Sequence, residues 1–216
     1  MSLPKRFDKE LRRAIAARSV WLPGKPVQLG DILVKRSSSF HKAGHINNFG
    51  GTLESAAHSD ISLDLKTSKV KQRIFQAGIE MPGTAGLDLS ADASVKLEFR
   101  GENQFILKTP TLSGASIQNM LQIAMQLSPL NNWRHDKYYI VEEVYGAVDW
   151  AFLGSKQNSS NVEIRGKGSG ILSFLTAGAS LGLKSSGSVD VKIMGKGGMI
   201  GMNLVRVRKN GSLNHG

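Results

Sequence analysis

The sequence predicts an α+β fold: a twisted, mostly antiparallel sheet with long amphipathic hairpins, a basic N-terminal helix and a helical insertion between the hairpins. Two observations lead to this fold class. Apolar and polar residues alternate over long segments, as they do in strands. Two shorter segments space their apolar residues as helices do. The formal net charge of +11 favours polyanionic partners, either nucleic acid or an anionic membrane surface. With 216 residues the chain can bury one substantial core, so we expect a single domain over residues 1–216.

The first predicted element is a basic helix within residues 1–20. In "PKRFDKELRRAIAARS" (4–19), Phe7, Leu11 and Ile15 recur at helical spacing and share one side. Such a helix can lie on an anionic membrane or pack on its own domain with its basic side in water. Both interpretations hold if the helix docks in one state and meets lipid in another. The basic residues that we expect to face solvent and bind lipid are Lys5, Arg6, Lys9, Arg12, Arg13 and Arg18.

A first hairpin is predicted over residues 57–101. The segment "GLDLSADASVKLEFRG" (86–101) has apolar residues at every odd position from Leu87 to Phe99 and polar residues at every even one. Successive strand side chains point to opposite faces, so this pattern predicts one amphipathic strand more than twice the usual length of about 5–6 residues. A preceding arm at 59–77 and the proline–glycine turn in "GIEMPGT" (78–84) complete the hairpin.

A helix is predicted next, over residues 111–128, with Ser113 as its N-cap. Its apolar residues at helical spacing are Ile117, Met120, Leu121, Ala124 and Leu127. Nearer the N-terminus, "ILVKR" (32–36) predicts a core strand and "SSSFHKAGHINNFGG" (37–51) predicts a loop.

A second hairpin is predicted over residues 137–208. It opens with "KYYIVEEVYGAVDWAFLG" (137–154), which is rich in β-branched and aromatic residues. Alternation returns after residue 171 and places Leu175, Leu181 and Leu183 on one face. Arms of about 14 residues reach roughly 45 Å, more than the ~30 Å hydrocarbon core of a bilayer. Each arm is therefore long enough to cross a membrane with its apolar side chains towards lipid.

The order of these elements resembles the pore-forming domain of the gasdermins. An early strand runs into "LVKRSSSF" (33–40), where gasdermins carry a similar basic, serine and aromatic step. "YYIVEEV" (138–144) is similar to the strand that opens the family's second hairpin. A glycine-rich middle and a closing strand, "GGMIGMNLVRV" (197–207), complete the resemblance, which spans nearly the whole chain.

The resemblance implies a protein that is cytoplasmic when soluble and acts at the inner face of the cell membrane. It would bind acidic lipids through its first helix, assemble into a homo-oligomeric ring and insert both hairpins, with cell death (pyroptosis) or antiviral defence as the result. A closed ring leaves no unpaired strand edges in lipid, which a single hairpin cannot achieve. The residues expected to enter the membrane are Leu87, Leu89, Val95, Leu97, Phe99, Leu175, Leu181 and Leu183.

The sequence departs from the gasdermin pattern in two features, and these departures leave open how the protein is kept inactive. Gasdermins are normally held inactive by a C-terminal segment that a protease removes, whereas "KNGSLNHG" (209–216) is too short and polar to mask a hairpin. Bacterial relatives tend to carry an N-terminal cysteine for acylation, and this sequence has no cysteine. We therefore expect restraint either from an inhibitory or activating protein partner or from the packing of the soluble fold itself.

The sequence predicts no enzyme, metal or cofactor. His41 and His45 are four residues apart but lack a third ligand. The glycine-rich segments "GKGSG" (166–170) and "GKGG" (195–198) lack the spacing of a phosphate-binding loop. There is also no run of 18 apolar residues and no hydrophobic signal segment at the N-terminus, so we expect a chain made as a soluble protein.

Two alternatives to a pore remain open from the sequence. A basic nucleic-acid-binding module fits the charge, but the aromatic residues concentrate at 133–150 beside four acidic residues, where a phosphate backbone is not favoured. A structural, self-assembling β protein would also explain long strands and oligomers, and it would show no dependence on lipid.

Overall fold

The structure is a computed structural model that describes residues 1–37, 39–175, 184–187 and 190–215. It has the predicted α+β class, with mostly antiparallel strands and an N-terminal helix. The helices are α1 (Leu3–Ile15), α2 (Met120–Leu127) and α3 (Gly168–Leu175), with a short 3₁₀ helix at Ile46–Phe49. The strands are β1 (Arg18–Ser19), β2 (Asp31–Arg36), β3 (Ser39–His45), β4 (Ser55–Ala57), β5 (Ile61–Lys66), β6 (Val70–Gln76), β7 (Ile79–Met81), β8 (Asp92–Phe99), β9 (Gln104–Ile117), β10 (Tyr138–Ala147), β11 (Asp149–Ser155), β12 (Ser160–Lys167), β13 (Lys184–Gly187), β14 (Val191–Lys196), β15 (Met199–Val207) and β16 (Leu213–His215).

The larger of two sheets forms the centre of the molecule. Its main path runs β1-β15-β10-β9-β11-β14, and β2, β3, β4, β5 and β16 join along its borders. β9 is its longest strand, with 14 residues, and pairs with β10 and β11 as well as with β4 and β5. Side chains alternate across β9, so Phe105 belongs to the core under α1 while Ile106 belongs to the core on the opposite face.

The second sheet, which we call the small sheet, has the strand order β13-β12-β8-β6-β7. Its inward side chains, such as Val95 and Ile164, pack against Ile106 and Leu153 of the large sheet. Two residues of α3 enter the same core. The large sheet is therefore covered by α1 on one face and by the small sheet on the other.

The predicted long strand at 86–101 is shorter than expected, because β8 begins only at Asp92 and has eight residues. Before it, the Asp88 carboxylate accepts hydrogen bonds from the backbone N–H and the hydroxyl of Ser90. This local turn competes with strand pairing, and Gly86 supports it with a positive φ of 77°. The preceding arm at 59–77 also divides into β5 and β6, which join different sheets.

The helix expected at 111–128 is only partly correct. Residues up to Ile117 belong to β9, and α2 begins at Met120 after Asn119, so Ser113 is not an N-cap. Pairing with β4 and β10 on both sides commits this segment to the sheet. Leu121, expected on the apolar face of the helix, is 68% exposed.

Two further segments differ from the sequence prediction. Residues 39–45, expected as a loop, form β3 and pair with β2 over its whole length. Residues 168–175, expected to continue the second hairpin as strand, form α3. Backbone pairing with a neighbouring strand decides the first case, and packing of two apolar side chains into the core beneath α3 accompanies the second.

Candidate membrane-contact and membrane-insertion sites

The basic N-terminal helix is docked on its own domain in this structure. Leu3, Phe7 and Leu11 form its inward face and are completely buried. The Phe7 ring lies 5.4 Å from that of Phe105 and 5.3 Å from that of Phe152, in edge-to-face geometry. These contacts fix which side of α1 faces water.

The cations of α1 point mostly to solvent. Arg12 and Arg13 each lie near an acidic residue one turn earlier, at N···O distances of 2.9 and 3.3 Å. Exposed pairs of this kind contribute only about 0.3–0.5 kcal/mol, so they leave the guanidinium groups available to a stronger anion. Lys5 and Lys9 make no ion pair with any residue that the structure describes. The exposed side chains are Lys5, Lys9, Arg12 and Arg13, and Arg6 is half-buried.

Arg18 differs from the other predicted lipid-binding residues. It lies in β1 rather than on the helix, and it is half-buried instead of facing solvent as expected. Burial lowers the pKa of Arg18, and the charge of Arg12 adds to that effect. Its Nε is buried and has no hydrogen-bond partner among the described residues. The chain turns after α1 to pair with β15, which carries this side chain away from the helix surface.

A cation–aromatic cluster surrounds Arg18, and sequence reasoning missed it. The Arg18 guanidinium lies 5.9 Å from the Phe40 ring centroid, and that of Arg206 lies 4.9 Å from the Tyr139 ring. Phe40 and Tyr139 meet edge to face at 5.2 Å. The four residues come from four strands, so no local sequence pattern brings them together. Because each ring is already engaged with the other, the cluster offers little open aromatic face for stacking a base.

The predicted first hairpin is present in part: β6 and β8 lie in the small sheet, whereas β5 joins the large sheet. They pair antiparallel, with Ile74 opposite Val95. In β8 the predicted alternation is correct: Val95, Leu97 and Phe99 are completely buried, whereas Lys96 is exposed. Outside the strand, Leu87 is buried and Leu89 is 48% exposed.

The predicted second hairpin is divided between the two sheets: its opening arm forms β10 and β11 of the large sheet, and β14 and β15 join them there, whereas β12 lies directly beside the first hairpin. β12 pairs with β8 along eight residues, from Ser160 opposite Phe99 to Lys167 opposite Asp92. Val162 and Ile164 of β12 fill the same core as the apolar face of β8. Two segments about 60 residues apart in sequence thus form one amphipathic sheet, with its apolar face hidden and its polar face in water.

The structure describes one of the three leucines of the second hairpin that were predicted to enter the membrane. Leu181 and Leu183 lie outside the described residues. Leu175 is the last residue of α3, so the expectation that it belongs to a strand is wrong. The cause is local: the preceding residues Ile171 and Phe174 form one apolar side of a helix that packs on the small-sheet core.

A buried charge lies at the junction between the two sheets. Lys108 of β9 has only 1% of its side chain exposed, and its ammonium group pairs with Asp64 of β5. The same ammonium group lies 5.5 Å from the Phe174 ring of α3. Burial lowers the pKa of Lys108 below its usual 10.5, and the hydrogen bond with Asp64 opposes this shift. The layer between the sheets therefore holds a desolvated charge, which stabilises a fold less than an apolar side chain of similar size would.

A second polar cluster lies on the large sheet around His58. Its Nε2 lies 3.0 Å from the Ser116 hydroxyl and its Nδ1 lies 3.3 Å from the Glu143 carboxylate. Burial, together with a hydrogen bond to Glu143, raises the pKa of Tyr145 to about 12. Although serine, histidine and carboxylate are aligned, Ser116 lies within a strand that is paired on both sides. Strand pairing occupies the backbone N–H groups that acyl-transfer chemistry would need for an oxyanion, so the arrangement favours a structural brace.

The described residues contain no group of three or more histidine, cysteine, aspartate or glutamate residues arranged to hold a metal ion. His45 instead bonds the backbone of Leu29 and Asn47, and His41 lies beside Ser39. In the same part of the chain, every helix is too short or too polar to span a bilayer.

Comparison with known proteins gives a likeness of structure but not of sequence family. No family model matches the sequence, and no curated protein is similar to it. Among solved structures, the chain is similar to a bacterial gasdermin from Bradyrhizobium tropiciagri, with a TM-score of 0.42 and 14% sequence identity. The alignment covers 94% of this chain and 88% of that one.

Proposed function

We propose that this protein permeabilises membranes: it binds acidic lipid through the exposed cations of α1, assembles into a ring of identical copies and inserts strands of the small sheet as a β-barrel wall. One observation carries the proposal. β6 and β8 of the predicted first hairpin and β12 of the predicted second hairpin lie in one sheet whose apolar face is hidden against the rest of the molecule. A sheet with this pattern has the side-chain arrangement of a barrel wall before any barrel exists.

The length of the strands fits a change of state on insertion. β8 has eight residues in the soluble fold, and a tilted membrane strand needs about 9–11. The alternation continues upstream through Ala91, Leu89 and Leu87, so strand structure can extend into residues 86–91 once the Asp88 turn opens. The exposed Leu89 gains a lipid neighbour in that extended strand.

The edges of the small sheet explain why several copies are needed. Among the described strands, β7 and β13 end the order of this sheet and offer unpaired backbone groups on their outer sides. Such groups cost several kcal/mol each in hydrocarbon. Pairing with the next copy around a ring removes both edges at once. We infer a homo-oligomer in the membrane for this reason.

The location and restraint of the protein follow from the same proposal. The chain stays in the cytoplasm with its apolar stripe covered, and it acts on the inner face of the cell membrane. Contacts between the small sheet, α3 and the large sheet supply the restraint, and a protein partner that separates or clamps these layers would activate or inhibit the protein. In a cell the outcome is leakage and death, which serves defence against infection.

Dye release from vesicles tests the proposal. We expect the folded protein to release dye from vesicles that contain phosphatidylglycerol and to leave phosphatidylcholine vesicles intact. Retention of dye by both kinds of vesicle, with folded protein, contradicts the proposal. Assembly of the protein into β-rich polymers at the same rate with and without lipid favours the structural alternative instead.

A further inference from the structure

The outer face of the small sheet carries more positive than negative charge. Its strands β6, β7, β8 and β12 place five cationic and four acidic side chains on the polar side. The cations are Lys71, Arg73, Lys96, Arg165 and Lys167, and the acids are Glu80, Asp92, Glu98 and Glu163. The register of the strands shows where the excess of positive charge lies.

The excess is concentrated at the middle of the strands. One row across the three strands places Arg73 opposite Lys96 and Lys96 opposite Glu163. The next row in the direction of Lys167 contains Ser94 and Arg165, and Glu80 of β7 lies in the same row. The first of these rows therefore has one positive charge in excess, whereas Glu80 balances Arg165 in the second and the rows at either end also balance. Like charges directly opposite each other, such as Arg73 and Lys96, cost stability in a soluble sheet.

The acidic side chains of this face are already engaged. Glu163 pairs with Arg165 at 3.0 Å, and this hydrogen bond lowers the pKa of Glu163. Asp92 lies 3.1 Å from Lys167, and Glu80 lies 3.6 Å from Arg73. Lys96 forms no salt bridge within the described part of the chain, and its ammonium group lies 4.5 Å from the Phe75 ring. The central cation therefore lies over an aromatic ring, while Glu163, the acid directly opposite it, is hydrogen-bonded to Arg165.

We propose that the pore formed by this protein prefers anions over cations, and that Arg73 and Lys96 set this preference. The inference rests on the proposed function, because the polar face becomes the wall of the water-filled lumen only if the small sheet inserts. A ring of copies repeats the central row once in every subunit, which makes a continuous band of positive charge. Rings of arginine and lysine select anions in other pores by the same electrostatic principle.

Ionic strength decides how strongly the band acts. The Debye length is about 8 Å at physiological salt and about 30 Å at 0.01 M. In a wide lumen the band therefore influences only ions near the wall at physiological salt, and ions across much more of the opening at low salt. We expect the preference for chloride to grow as the salt concentration falls.

The test is the reversal potential of the current through planar bilayers of anionic lipid under a gradient of dilute KCl. Wild-type protein should give a chloride-to-potassium permeability ratio above unity. The double variant Arg73→Glu/Lys96→Glu should bring the ratio below unity. Arg208→Glu/Lys209→Glu, a control with the same change of charge in the exposed C-terminal segment, should leave it unchanged. Thermal melts of each variant establish that it is folded.

The possible results distinguish a failure of the anion preference from a failure of pore formation itself. Conductance that prefers potassium in the wild type, or a ratio that does not respond to the double variant, overturns the anion preference and leaves the pore standing. Absence of any conductance removes the pore and the preference with it. Lys96→Gln, a milder change, should give an intermediate ratio, and this outcome supports a role for the charge itself.

Discussion

The two covers of the large sheet, α1 on one face and the small sheet on the other, are both amphipathic but are held in different ways. α1 is anchored by aromatic contacts of Phe7, and its inward side chains are completely buried. The small sheet covers a layer that also contains the charged pair Lys108 and Asp64. Under the proposed function, we expect α1 to stay fixed and to present its cations to the membrane, and the small sheet to leave the large sheet and enter lipid.

The outer charges of the two covers should have separate roles. Each basic residue near an anionic surface is worth about 1 kcal/mol. Lys5→Glu/Lys9→Glu on α1 should therefore weaken vesicle binding by at least about 2 kcal/mol, or roughly 30-fold. Co-sedimentation with anionic vesicles at low salt measures this loss. Lys71→Glu/Lys96→Glu on the small sheet makes the same change of charge and should leave binding nearly intact. Equal losses from the two pairs contradict the division of roles.

The buried lysine offers a way to strengthen the second cover. Lys108→Met replaces a desolvated charge by an apolar chain of similar length, while Asp64 keeps 40% of its side chain exposed to water. We expect the folded protein to gain about 1–2 kcal/mol and to release dye more slowly. Thermal melts and stopped-flow dye release measure both effects. If the variant is more stable but releases dye faster, the layer between the two sheets does not control how fast the small sheet leaves.

The same lysine predicts a dependence on pH. Its pKa is lower in the folded protein than the usual 10.5, so its charged form destabilises the fold at neutral pH. The wild type should recover stability as the pH rises through the folded pKa towards 10.5, and the advantage of Lys108→Met should shrink over that interval. Melting temperatures of both proteins from pH 7 to 10 check this. Other groups that titrate in that range are common to the two proteins and cancel in the difference.

The same small substitution in the core under each cover tests whether only the small sheet must leave. Ile106 belongs to the core under the small sheet and Ile200 to the core under α1, and both are essentially buried. Changing either to valine should cost about 0.5–1.5 kcal/mol. Ile106→Val should speed dye release because it loosens the cover that must leave, whereas Ile200→Val should not. Equal rates at equal loss of stability contradict the distinction between the two covers.

The inward and outward faces of the strands could be predicted from the sequence, but the points where strands begin and end could not. Alternation identified both faces of β8 correctly, because burial on one side of a strand fixes a period of two. It could not show that Asp88 and Ser90 form a turn that ends the strand early. Residues 111–117 are compatible with more than one period, and pairing with two neighbours decided in favour of strand. The contacts of Arg18 and Lys108 depend on strands far apart in sequence, so no local pattern contained them.

The central claim, that the first hairpin enters lipid, is tested most directly by two exposed leucines. Leu89 in the first hairpin is 48% exposed and Leu121 on α2 is 68% exposed, so arginine at either position should leave the soluble fold intact. If residue 89 reaches the hydrocarbon, Leu89→Arg costs up to about 2–4 kcal/mol in every subunit. The account predicts that dye release is abolished by Leu89→Arg and unchanged by Leu121→Arg, at equal melting temperatures. Equal release by the two variants would contradict it.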